Sequence, residues 1–149
     1  MVGLVTGVVA GLATITPASG YVGPIGALIL GALASLICFT AVDLVKQKCR
    51  IDDSLDVFAV HGVGGILGSL LVAVFASPVF GGAGYAPGVD MAGQALTQIM
   101  GVAATVAWSA LATFVLLIVV KRTVGLRATD AHIEEGLDMA AHGERAFTP

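Results

Sequence analysis

The chain has 149 residues, 57% of them hydrophobic and only 11% charged, with a mean hydropathy of +0.98. Soluble domains are about 25% charged, so this composition excludes a soluble globular protein and places the chain in a membrane. The net charge of −3 names no partner and gives no sign of nucleic acid, because the charges gather at the ends of apolar runs.

Residues 2–15 form the first apolar segment, with Gly3, Gly7 and Gly11 setting a small-residue face for close helix contact. At about 1.5 Å per residue it is short for a hydrocarbon layer of about 30 Å. Its start has no positive region and no cleavage signature, so a removable signal peptide is not expected. Pro17, Gly20, Gly23 and Pro24 then break the helix, and Tyr21 suits an interface.

The second segment, 24–45, reads as one spanning helix with proline tolerated in its first turn, small residues Gly26, Gly31, Ala34 and Ser35, and Asp43 near its end. The loop 46–54 carries Lys46, Lys48 and Arg50 and then Asp52 and Asp53, acids that suit the N-terminus of the next helix. The third segment, 55–76, contains His61 and ends at Ser77 and Pro78. A glycine-rich loop over 81–93 holds Tyr85, Pro87 and Asp90 and no cation. The fourth segment, 94–120, is the longest, most apolar from Val102 onward around Trp108 and Phe114, and is expected to tilt. The membrane region is therefore 1–122, and 123–149 is a polar tail that composition alone reads as disordered.

All seven cations, Lys46, Lys48, Arg50, Lys121, Arg122, Arg127 and Arg145, fall in the loop after the second segment or after the fourth. Two spans separate these places, so they share a side, and the positive-inside rule makes that side, with the C-terminus, cytoplasmic.

His61 is the most conspicuous residue chemically, an imidazole roughly 10 Å inside an apolar helix that starts at Leu55. In α-helical projection it shares a face with Gly64, Gly65, Gly68 and Ser69, so its ring is expected to point into protein. Ionisable groups within membranes are costly and mark pathways or proton relays, and histidine can both donate and accept. The plainer alternative is a neutral histidine hydrogen-bonded to a neighbouring helix. Asp56, five residues earlier and about 140° away on an α-helix, is no obvious dyad partner. With Asp53 it is expected to organise the helix start, through amide contacts or a cation.

The remaining residues carry little chemistry. The twenty glycines show no phosphate-loop pattern. Trp108 and the phenylalanines read as packing or interface residues. His132 and His142 lack metal-ligand spacing, no cofactor motif appears, and no nucleophile stands with a base, so neither a metal site nor an enzyme is expected. Cys38 in an apolar run and Cys49 in a basic loop read as free thiols.

Three separated motifs nevertheless resemble one family. ATITPASGYV over 13–22, DDSLDVFAVHGVGG over 52–65, and a tail with VGLR over 124–127, EGLD over 135–138 and HGERAF over 142–147 are similar, in order, to the C-terminal part of the bacterial type of the Amt/Mep/Rh ammonium transporters. The resemblance implies an all-α integral membrane protein, its four segments corresponding to the last four of eleven transmembrane helices in a homotrimer of the bacterial inner membrane. It implies that His61 is the second of a pair of pore histidines and that Val57, one turn before, lines the pore. In this family ammonium is recruited outside and deprotonated, ammonia passes the histidines, and a proton is thought to cross along them. The resemblance also turns the tail into a regulatory segment: Gly125, Leu126, Arg127, Glu135, Gly136, Leu137, Asp138, His142, Gly143 and Glu144 fall in the part that couples subunits and docks PII nitrogen-signalling proteins. The first histidine, the phenylalanine gate and most of the recruitment site belong to helices outside this sequence, so the chain is expected to be part of a longer subunit or to be completed by another chain. The alternative is a membrane-anchored module that transports nothing and docks a PII protein through its tail.

Overall fold

Residues 2–145 are described by a computed structural model, and among them every regular element is helical. The chain divides into two units, Met1–Thr105 and Val106–Pro149.

In the first unit, α1 (Val2–Ile15) gives way to a 3₁₀ turn at Thr16–Ala18, where Pro17 cannot continue the amide ladder and Ser19 is already extended. α2 (Pro24–Asp43) starts from an extended Gly23 with proline in its first turn. It does not stop where the polar loop was expected. A wide π turn, Leu44–Lys48, keeps Lys46 and Lys48 on helical backbone, and the chain leaves it through Arg50 at φ +54°. A second π turn, Val57–Gly62, leads into α3 (Val63–Phe75). Helical backbone thus begins at Val57, and the expected start at Leu55 is corrected: Asp56 lies in the left-handed region at φ +55°, which an α-helix excludes.

α4 (Met91–Thr123) begins under an Asp90 cap, whose Oδ1 accepts from the Gly93 amide at 2.8 Å, and takes Lys121 and Arg122 into its last turn. Basic side chains are favourable at that end of the helix dipole. The stretches Pro24–Lys48, Val57–Phe75 and Met91–Thr123 are long and apolar enough to cross a membrane, whereas the first apolar helix is shorter.

α1, α2 and α3 pack mutually in two clusters. Ala18, Leu30, Val72, Phe75 and Ala76 form one, with the Phe75 and Phe80 rings edge to face at 5.4 Å. Ala10, Cys38 and Val60 form the other. Between helices in lipid such contacts act through close packing, since hydrocarbon tails are as apolar as leucine, and small residues therefore decide how near the backbones come. Gly68 is the extreme case, because a Cβ there would overlap the carbonyl oxygen of Thr14 on α1. After α3 the glycine-rich loop is pinned back: Tyr85 donates its hydroxyl to the Ala73 carbonyl at 2.5 Å, and the Ala83 amide donates to the Tyr21 carbonyl at 2.9 Å.

Candidate functional site

The residues singled out in the third segment meet at the start of its helix, and one carboxylate supplies the order there. Asp53 Oδ1 accepts from the Val57 amide at 2.8 Å, and Oδ2 accepts from the Phe58 and Ala59 amides at 3.0 and 3.3 Å. First-turn amides have no partner within a helix, and an anion satisfies them with the dipole's help. Asp56 does something else. Its Oδ1 meets Lys46 Nζ at 2.6 Å, an ion pair without the alignment of a hydrogen bond, reaching from the residue before the second π turn to the first π turn. Of the two roles expected for these acids, amide contacts fall to Asp53 and the cation to Asp56. Asp52 stands apart and accepts from the Ser54 hydroxyl at 2.8 Å.

The face expected to be shared by His61, Gly64, Gly65, Gly68 and Ser69 divides, with Gly65 looking onto open space. Gly64 and Gly68 are buried against α1, where a Cβ on Gly64 would come 2.8 Å from Thr14 Oγ1, whereas His61 is exposed on this chain. The π turn that carries His61 closes its hydrogen bonds from i to i+5 and ends at Gly62, just before these glycines. Ala59 and Val60 face inward, 0% and 2% exposed, while Val57 and Phe58 join His61 on the open side. That side carries an imidazole among apolar neighbours, a group that can donate and accept a hydrogen bond.

Sequence reasoning missed Lys46 as a member of this site. It counted the lysine as a topology marker, and the available signal was a cation within reach of Asp56 once the second helix is extended by one turn. It also missed Thr14, fully buried with its hydroxyl unpartnered at the crossing with Gly64.

The second unit contains the tail. Instead of disorder, α5 (Asp130–Glu135) and α6 (Leu137–His142) follow one another. Thr129 caps α5 by accepting from the His132 amide at 3.3 Å, and the Ala140 amide donates to the Gly136 carbonyl at 2.9 Å. Gly125, Gly136 and Gly143 lie at φ +84°, +96° and +68°. These backbone positions suit glycine and end or join the helices, a local reason for its place in each tail motif. Leu126 and Leu137 are about half exposed, at 49% and 53%, and Arg127, Glu135, Asp138, His142 and Glu144 are solvent-facing or nearly so. Ala146 and Phe147 of the last motif lie outside the described residues.

A model of the Ammonium Transporter Family matches residues 1–147. Among similar proteins, an ammonium transporter of Aquifex aeolicus is 48% identical over 149 residues, covering 99% of this chain and 34% of the relative. The ammonium transporter Amt1 of Archaeoglobus fulgidus is 42% identical, covering 98% of this chain and 37% of the relative. Of solved structures, a chain described as Sensor Amt Protein superposes with a TM-score of 0.82 at 31% identity, over 94% of this chain and 34% of that one. The chain spans about a third of the length of these relatives.

Proposed function

Because the chain belongs to the ammonium transporter family, we propose that it serves in ammonium/ammonia transport across the membrane, as the C-terminal portion of an Amt-type subunit in which His61 is a pore proton relay and Val57 a lining neighbour. The observation that carries the reading is the two-sided start of the histidine helix. Ala59 and Val60 are buried against the neighbouring helices while Val57, Phe58 and His61 stay open.

The chemistry follows from that surface. A charged ammonium ion pays heavily to enter an apolar passage, whereas ammonia is small and neutral. An imidazole can accept a hydrogen bond from ammonia at one ring nitrogen and donate from the other, and can pass a proton between them. Val57, one turn away, gives the ring an apolar neighbour on the same open side. The basic segments 46–50 and 121–127 support a cytoplasmic tail under the positive-inside rule, in bacteria on that side of the inner membrane. The complete protein is a homotrimer, and the α5–α6 tail is a docking element for a PII-type signalling protein.

The test is uptake of labelled methylammonium by proteoliposomes holding this chain co-expressed with the N-terminal two thirds of the Aquifex aeolicus relative, beside the chain alone. Flux is expected only with the partner. His61→Ala is expected to leave insertion intact and abolish charge-coupled uptake, and unchanged coupled uptake would sink the histidine's role. A second reading, a membrane-anchored interaction module, is favoured by the local capping of the tail helices. Capture of a PII protein by the tail, with no flux in either preparation, would decide for it.

A further inference from the structure

We propose that the Lys46–Asp56 ion pair is a register clamp, which holds Val57–Gly62 in its wide turn and thereby sets where His61 stands; Lys46 is then a positioning residue for transport. The inference rests on the pore reading of His61 only for its transport consequence, because the clamp itself is a property of the backbone.

Three observations converge on it. First, Asp56 is one of two non-glycine residues among those described in the left-handed region, at φ +55° and ψ +28°, a conformation uncommon outside glycine that aspartate and asparagine adopt more readily than other residues and that breaks the helix before Val57. Second, its carboxylate meets Lys46 at 2.6 Å, and both side chains are partly shielded from solvent, 20% and 35% exposed. Shielding strengthens such a pair relative to one in open water. Third, the far end of the turn packs independently on α1, since Gly64 and Gly68 lie so close to Thr14 that a Cβ on either would clash there.

Asp53 does not choose the width of the turn. Its three amide contacts would satisfy an ordinary α-helical first turn as well. What distinguishes the wide turn is where the chain must start, and that is set by the reach of Asp56 to a lysine on the π turn that follows α2. Isolated π turns of this kind concentrate at functional sites. If Asp56 is released, the segment can wind into α-helix, and each residue gained or lost relative to α3 turns Val57–His61 by about 100°. Val60, now 2% exposed, would come outward and His61 would leave its open position.

The experiment is a cysteine scan on the full 149-residue chain in liposomes, with Cys38→Ala and Cys49→Ala as background. Val57→Cys, Phe58→Cys, Ala59→Cys, Val60→Cys and His61→Cys are each labelled with N-ethylmaleimide, with the clamp intact, with Lys46→Met, and with Asp56→Asn. Asparagine keeps a side chain that tolerates the left-handed region and removes only the charge. With the clamp intact, positions 57, 58 and 61 react quickly and 59 and 60 slowly. If the pair favours the wide turn by one decade, labelling of Val60→Cys in either clamp variant rises about tenfold, tracking the alternative register. Lys46→Arg, and the exchange of Lys46→Asp with Asp56→Lys, restore the slow rate. A pattern unchanged by Lys46→Met and by Asp56→Asn overturns the clamp, whatever happens to flux. The same variants, with His61 in place, are then assayed for methylammonium uptake with the Aquifex partner segment. A labelling shift with uptake lost and recovered in parallel supports the positioning role. A labelling shift with uptake intact overturns it, and places the fault in the pore reading of His61 and not in the clamp.

Discussion

Gly68→Ala tests the packing that holds the histidine helix, because the added methyl meets backbone and not a side chain that can rotate. A Cβ at this position overlaps the Thr14 carbonyl oxygen and comes within 2.9 Å of Pro17 Cγ. Pro17 is ring-closed, and Thr14 is fully buried. α1 and α3 must therefore separate by on the order of 1 Å to restore ordinary contact, and overpacking of this kind costs about 1–3 kcal/mol. Cys38 offers a native reporter, since it is 2% exposed, in one cluster with Ala10 of α1, and its Sγ faces Gly64 at the same crossing. In a Cys49→Ser background the maleimide labelling rate of Cys38 is expected to rise about 5- to 150-fold, the range corresponding to that cost. Gly64→Ala should give a smaller rise, because it meets the Thr14 hydroxyl at 2.8 Å and the Cys38 sulfur at 3.4 Å, both side-chain atoms. Gly31→Ala has nothing within 4 Å and should leave the rate unchanged. If Gly68→Ala labels as slowly as Gly31→Ala, the crossing is not as tight as described and the reasoning fails.

Asp53→Ala removes a carboxylate shared by three amides and should cost about 1–2 kcal/mol at the helix start, seen as faster hydrogen exchange confined to the amides of Val57, Phe58 and Ala59. Tyr85→Phe deletes the hydroxyl that donates to the Ala73 carbonyl; the loss of about 1 kcal/mol should appear as quicker proteolysis within residues 81–90, with α3 unaffected. In the tail, Gly136→Ala forces a side chain into φ +96° at a cost of about 1 kcal/mol or more. Helicity of α5 and α6 should fall by circular dichroism of the full chain in micelles, and capture of a PII protein should weaken with it. The substitution Ala128→Gly, at an exposed position outside both helices, is the control that should change neither.

The membrane character and the apolar runs were legible because they depend on hydropathy and on breakers that act locally. Pro17 and Gly20 end α1, and Ser77 with Pro78 follows α3. Asp53 was legible for the same reason, as a carboxylate placed before an apolar run has a standard use at a helix N-terminus. The wide turn was not, because nothing in VFAVHG differs from good α-helix in its spacing of apolar residues. Its width comes from a tertiary contact, Lys46 to Asp56, made by residues ten apart through an extension of α2 that the charged composition of 46–50 disguised as loop. The tail was misread from composition for a different reason. Its helices are short and half-exposed, so hydropathy carries no signal, and order there rests on the Thr129 cap and on glycines at positive φ.

The two ends of the histidine turn are held by interactions of different kinds, and that difference bears on transport. The α3 end is held by backbone contact at Gly68, which is short-ranged, insensitive to salt and unable to adjust by a fraction of an ångström without losing its packing. The Asp56 end is held by an ion pair that is partly exposed and near a cluster of cations, Lys46, Lys48 and Arg50, and such pairs weaken as salt screens them. A perturbation on the basic side of the membrane therefore reaches His61 through the Asp56 end while α3 stays in place. High salt on that side should accelerate labelling of Val60→Cys in the unmodified clamp and have no further effect in Asp56→Asn, where there is no pair left to screen. Equal acceleration in both would show that salt acts elsewhere on the chain, and would remove the ion pair as the route by which the basic face communicates with the histidine.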